Sequence, residues 1–220
     1  MLIKITFQFI VLIFSSCIAQ AQYFESIEKE TERILISLSD GNSAVGLEIT
    51  ELKNLLTTYV GTNSSESNLY VHPQSIDSLT NHLSEFESEL KNISTDSAFV
   101  LFNDWFLHFQ NIFYEYSNKK FFSSPKTKIL LFSTSMSCYC TLKMSRNQTV
   151  ELLKFIAENG NSYDYWIIDS YWHNELQIDY ETLFAPSVLV FDGNNQVMHK
   201  IEYDEKMLSI LNDFLIITKN

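Results

Sequence analysis

Residues 128–140 read KILLFSTSMSCYC. Lys128 to Phe132 is a short apolar run bounded by polar residues, the pattern of a strand buried on both faces. Cys138 and Cys140 follow within a few residues. Beyond them, Thr149 to Glu158 has the spacing of an amphipathic helix, with Val150, Leu153, Ile156 and Ala157 inward and Asn159-Gly160 as its stop. The cysteines therefore fall between a buried strand and a helix. In an open α/β sheet, reaction sites lie just beyond the carboxyl ends of the strands. A thiol at a helix N-terminus meets unsatisfied N–H groups and the positive end of the helix dipole. Both favour the thiolate, which is the nucleophilic form.

The pattern continues outward in both directions. Tyr165 to Ile168, Ser187 to Phe191 and Gln196 to Tyr203 read as further strands, and Gly193-Asn194-Asn195 is a hairpin signal between the last two. Glu205 to Ile217 closes the chain as a helix with Met207, Leu208, Leu211, Phe214 and Leu215 apolar. Alternation of this kind predicts an α/β sheet with helices on both faces. Upstream, Tyr23 to Lys120 is helical in pattern. Ile27, Ile34, Leu35 and Leu38 recur at helical spacing, as do Leu52, Leu55, Leu56 and Tyr59, and Ile76, Leu79, Leu83, Phe86 and Leu90. Gly61 to Asn68 is rich in Ser, Thr and Asn and reads as a loop, and Pro73 reads as a helix start. Ser97 to Tyr116 carries an aromatic stripe (Phe99, Phe102, Trp105, Phe106, Phe109, Phe113), read as the surface that packs the helical part onto its neighbour. Ser123-Ser124-Pro125 punctuates the change of pattern, so the expected organisation is a helical segment over 23–122 and an α/β domain over 123–220.

Residues 1–22 are set apart from the fold. One cation, Lys4, precedes an apolar run from Ile5 to Phe14, and small residues end at Ala19-Gln20-Ala21: the parts of a secretory signal. The run is short for a membrane span, which needs about 20 residues. The chain is expected to be exported to a periplasm or the outside, with lipid attachment at Cys17 as the alternative. The whole chain has 15 basic and 27 acidic residues, and removing 1–22 takes only Lys4 from that balance. So acidic a surface argues against nucleic acid, whose phosphates need a basic one, and against anionic membrane surfaces. No further segment is apolar enough to span a bilayer.

Loss of Cys17 leaves two cysteines separated only by Tyr139, in a compartment that permits disulfides. A bridge across one residue constrains the unfolded chain very little, so stability is a poor reason for it. Its geometry is cramped, and strained, exposed disulfides are the redox-active ones. Metal capture is the rival: two thiolates near Met136 and Met144, with His173 or His199 as a nitrogen donor, suit Cu(I) or Zn, although C-x-C alone is half a site. No cofactor and no resident metal is expected. Tyr171-Trp172-His173 reads as an aromatic core edge that flanks the site at most.

Ile129 to Phe132, the turn to Cys138 and the helix beyond it resemble the first core strand and active-site turn of the thioredoxin family. Ala185-Pro186-Ser187-Val188-Leu189-Val190-Phe191 resembles its second signature, a cis-proline before a buried strand. The resemblance covers Thr127 to Asn220. It implies a thioredoxin-like central sheet and thiol–disulfide exchange with protein thiols and disulfides, leaning to oxidase or isomerase. Cys138 would be the attacking thiol, Cys140 the resolving one, and Tyr139, Ala185 and Pro186 the contacts to substrate. The chain departs from the family in having one residue between the cysteines, Ser137 in place of a preceding Trp, Thr141 in place of a following Lys, and Phe132 where a buried acid often stands. A binding domain without turnover is therefore the alternative.

Overall fold

The computed structural model describes residues 24–62 and 71–218; residues 1–22, expected to be a secretory signal, and most of the Gly61–Asn68 stretch lie outside them. The chain divides into two compact units, the first ending at Thr95 and the second running Asp96–Asn220. In the first, helices α1 (24–39), α2 (Gly46–Thr62) and α3 (Pro73–Glu89) bury the stripes expected of them, including Ile34, Leu35, Leu52, Leu56, Ile76, Leu79 and Leu83. Pro73 opens α3, where its missing N–H is of no consequence, and the His72 ring accepts from the Gln74 N–H to cap it.

The second unit begins with α4 (Thr95–Ile112) and α5 (Tyr114–Ser123), then alternates: β1 (Lys128–Ser133), α6 (Tyr139–Asn159), β2 (Asp164–Asp169), α7 (Asn174–Asp179), β3 (Ser187–Phe191), β4 (Val197–Glu202) and α8 (Met207–Thr218). The single expected helix over Ser97 to Tyr116 is two, because Phe113 leaves helical geometry at φ −93° and ψ 15°. Its aromatic stripe is buried at Phe102, Trp105, Phe106, Phe109 and Phe113; Trp105 stacks on Phe102 and Phe109 at 5.3 and 5.7 Å, and Phe109 meets Phe113 tilted at 4.9 Å. By contacts α4 and α5 group with the sheet, so Ser123-Ser124-Pro125 marks the entry to β1 within this unit.

The strands form one mixed sheet in the order β2-β1-β3-β4. β1 pairs parallel with β2 through the α6 crossover and antiparallel with β3, and β3 pairs antiparallel with β4. All six residues of β1 are buried, as its two neighbours and two covered faces require. On one face Leu130, Phe132, Trp166, Ile168, Leu189 and Phe191 pack with Phe121 of α5, and Tyr114, Phe122, Leu176 and Tyr180 close over them. Burial of each large apolar side chain here contributes about 2 kcal/mol. On the other face Ile129, Leu131, Ile167, Val188 and Val190 lie beneath α6 and α8. The expected α/β sheet, flanked by helices on both faces and preceded by helices, is what the chain forms.

The edge strand β4 carries Lys200 and Glu202 as an ion pair of 3.1 Å on one face, and Lys200 Nζ also donates to the Glu181 carbonyl at 2.9 Å. At the start of β1 the buried Lys128 ammonium donates to the carbonyls of Ser124 and Asp192, at 2.9 and 3.0 Å. Burial pushes this ammonium below its ordinary pKa. The strand entry and the β3–β4 hairpin are thereby tied at the sheet end opposite the cysteines. No helix among the described residues is long and apolar enough to cross a membrane.

Candidate active site

The register brings distant residues to one sheet edge. Phe132, near the carboxyl end of β1, lies opposite Ser187 at the start of β3, and Ser187 lies opposite Glu202 at the end of β4. The turn carrying the cysteines, the Ala185-Pro186 step and Tyr203 therefore share that edge. The Ala185-Pro186 bond is cis, with Ala185 half-buried and Pro186 buried.

The turn after β1 is held by a residue that the sequence did not single out. Asp169, at the carboxyl end of β2, is 2% exposed, and its Oδ1 accepts from the backbone N–H of Ser135 and Tyr171 at 3.1 and 3.0 Å. The Ser170 N–H reaches back to the Ser133 carbonyl at 2.9 Å. The Thr134 hydroxyl donates to the Met136 carbonyl at 3.0 Å, so the loop into the cysteines is fixed from both sides.

Cys138 is the N-cap of α6, and its carbonyl accepts the Leu142 N–H at 3.0 Å, opening the helical ladder. Both cysteines are free and exposed, and their sulfurs lie 2.8 Å apart. The Cys138 side chain closes no capping hydrogen bond on the helix. It meets instead the Cys140 sulfur and, at 3.2 Å, the Thr141 hydroxyl. Contact with Cys140 contributes most, and Thr141 next, to drawing the Cys138 pKa down from 9.0 to about 6. A thiol in that state is largely thiolate at neutral pH. Tyr139 between them is 78% exposed, leaving its ring free to meet a partner.

Thr141 is buried, and its hydroxyl oxygen also lies 2.9 Å from the Tyr203 phenol. Tyr203 sits 62 positions further along the chain, beyond any local pattern that would have exposed it. Of the residues weighed as nitrogen ligands, His173 pairs with Asn111 Oδ1 at 2.6 Å and Glu175 at 3.2 Å and stacks on Tyr114 at 3.7 Å, while His199 stacks on Phe214 at 4.5 Å. Burial, and then the Glu175 carboxylate, hold the Tyr114 phenol far above its ordinary pKa. Among the described residues no three His, Cys, Asp or Glu side chains converge as a metal cage. Tyr171 and Trp172, expected at a core edge, are 50% and 62% exposed and pack edge to face on each other. They follow the Asp169 turn, where the chain has left the sheet and no helix covers them.

No protein-family model and no curated protein sequence matches the chain. Among solved structures, a designed protein aligns with 47% of this chain and 86% of its own at 18% identity and a TM-score of 0.36. Mitochondrial thioredoxin 3 from Saccharomyces cerevisiae, in its oxidised form, aligns with 44% of this chain and 84% of its own at 13% identity and a TM-score of 0.35. A second designed protein aligns with 47% and 84% at 16% identity and a TM-score of 0.33.

Proposed function

We propose that the second unit is thioredoxin-like and performs thiol–disulfide exchange on protein substrates. The observation that carries this is the exposed pair of free thiols at the start of α6, with Cys138 drawn to a pKa of about 6. The Cys138 thiolate attacks one sulfur of a substrate disulfide. That S–S bond breaks, its far sulfur leaves as thiolate, and a mixed disulfide remains. Cys140 gives its proton to water and attacks the Cys138 sulfur, and the second substrate sulfur leaves as thiolate. The pair has then lost two electrons and the substrate has gained them. In the reverse direction, the oxidised pair passes its disulfide to a substrate dithiol. Tyr139, Ala185 and Pro186 are the proposed contacts to the substrate chain. Their common sheet edge supports that role.

Spacing sets the direction. Closing a bridge across Tyr139 alone strains the oxidised form, and a stabilised Cys138 thiolate favours the reduced one. Both raise the reduction potential. The pair is expected to sit above thioredoxin's roughly −270 mV, in the range of isomerases and oxidants. Equilibration against glutathione buffers measures it. A value at or below that of thioredoxin, or a pair that never closes under mild oxidation, overturns the donor role.

The same proposal places the protein outside the cytoplasm, where a disulfide donor has substrates. Protein isolated from the native host is expected to begin at or near Gln22. N-terminal sequencing that finds Met1, or mass spectrometry that finds a lipid on Cys17, removes this export route.

A further inference from the structure

We propose that Tyr203 is a positioning residue for Cys138, donating its phenol proton to Thr141 Oγ1 so that the single Thr141 hydroxyl proton is turned onto the Cys138 sulfur. The three atoms form a continuous chain, 2.9 Å from Tyr203 OH to Thr141 Oγ1 and 3.2 Å from there to Cys138 Sγ. This rests on the thiol-exchange reading above and adds to it the group that governs the nucleophile.

Donor counting gives the chain its direction. A thiolate only accepts, and a threonine hydroxyl has one hydrogen to give. When Cys138 is ionised the Thr141 proton must point to sulfur, which leaves the Thr141 oxygen as acceptor. The Tyr203 phenol is the donor beside it. Hydrogen bonds aligned in series polarise one another, so the phenol strengthens the contact that it does not itself make. Without it, the Thr141 hydroxyl regains its rotor freedom.

The backbone around Tyr203 is built to aim that phenol. Tyr203 stands at φ +48°, in the left-handed region that bulky side chains rarely occupy. Its N–H donates to the Pro186 carbonyl at 2.9 Å, and the next carbonyl, of Asp204, accepts from Gln148 Nε2 at 2.8 Å. The first tie runs to the cis-proline step and the second to α6, the helix that bears the thiols. A tyrosine held in an unfavourable backbone well from both sides, with its hydroxyl on Thr141, is placed by the fold as a whole.

Alkylation of the reduced protein by iodoacetamide across pH reads the thiolate directly and needs no substrate. The wild-type rate should rise with pH to a midpoint near the Cys138 value of about 6 and then level off. Tyr203→Phe keeps the ring and removes one donor. Its midpoint should move up by about half a pH unit, slowing alkylation at pH 6 roughly twofold. Thr141→Val should shift it in the same direction, Thr141→Ser should hold the wild-type value, and Tyr203→Phe added to Thr141→Val should add nothing. The proposal is overturned if Tyr203→Phe leaves the midpoint in place, or if its shift persists undiminished without the Thr141 hydroxyl. Exchange assays on the same proteins separate the two levels. A shifted midpoint without exchange sinks the thiol-exchange function and keeps the relay; exchange with an unmoved midpoint does the reverse.

Discussion

Cys138→Ser is expected to abolish disulfide exchange, by on the order of 10³-fold or more, while Cys140→Ser stops the reaction halfway. The difference follows from what each sulfur meets. Cys138 has the Thr141 hydroxyl at 3.2 Å and the depressed pKa, so in the proposed exchange it is the sulfur that begins the attack. In the proposed exchange the part of Cys140, whose sulfur lies 2.8 Å away, is to displace the substrate from Cys138. With serine at position 140 the mixed disulfide has no internal thiol to resolve it. It should accumulate in proportion to protein and be visible on a non-reducing gel, and added dithiol should release it. Both side chains are exposed, so both serine variants should still fold and unfold cooperatively. Full exchange by Cys138→Ser would show that the chemistry lies elsewhere. A Cys140→Ser protein that turns over freely would show that an external thiol resolves the intermediate.

Gly193→Ala is expected to cost the second unit about 3 kcal/mol of folding stability. A Cβ there would overlap the carbonyl oxygen of Pro125 and lie 3.0 Å from its carbon. The obstructing atoms are backbone, with no flexible end to swing away, and they are already fixed by Lys128. Its ammonium bridges the carbonyls of Ser124 and Asp192, the residues flanking this approach. Relief therefore requires the hairpin to lift from the strand entry, exposing a buried charge. The same substitution at Gly46, the first residue of α2 with open space around it, is the control and should be neutral or slightly stabilising. Urea unfolding of both variants measures the difference; equal stability would mean that the loop at Pro125 yields easily.

Two strands were legible because they are apolar on both faces: β1 and β3 are buried along their whole length, whereas the largely exposed β4 was marked by the hairpin signal before it. The first half of α6 was not. The helix begins at Tyr139, yet its apolar spacing starts only at Thr149. Its inner residues before that point are Thr141, Ser145 and Gln148, polar groups that leave no hydrophobic period to detect. One of them, Thr141, places its hydroxyl 3.2 Å from the Cys138 sulfur. α7 was missed for the opposite reason, since none of its six residues is buried. The thiol pair announced itself by composition. Its supports did not: Asp169 acts through backbone N–H groups, and Tyr203 acts across the sheet. Neither leaves a local signature, and only the strand register brings them to the thiols.

Among the described residues the sheet also has an open side at β4, where a row of backbone donors and acceptors lacks a partner strand. Such an edge can template a strand from another molecule and grow into aggregates. Here Lys200 occupies the strand and reaches both Glu202 and the Glu181 carbonyl. An incoming strand would have to pack beside this ammonium and shed part of its water, and it would meet a register already disturbed by the irregularity at Val190/Phe191. The polymerisation hazard of a free β-edge is thus opposed by a charge and a kink, and growth of the sheet in that direction is disfavoured beyond its fourth strand.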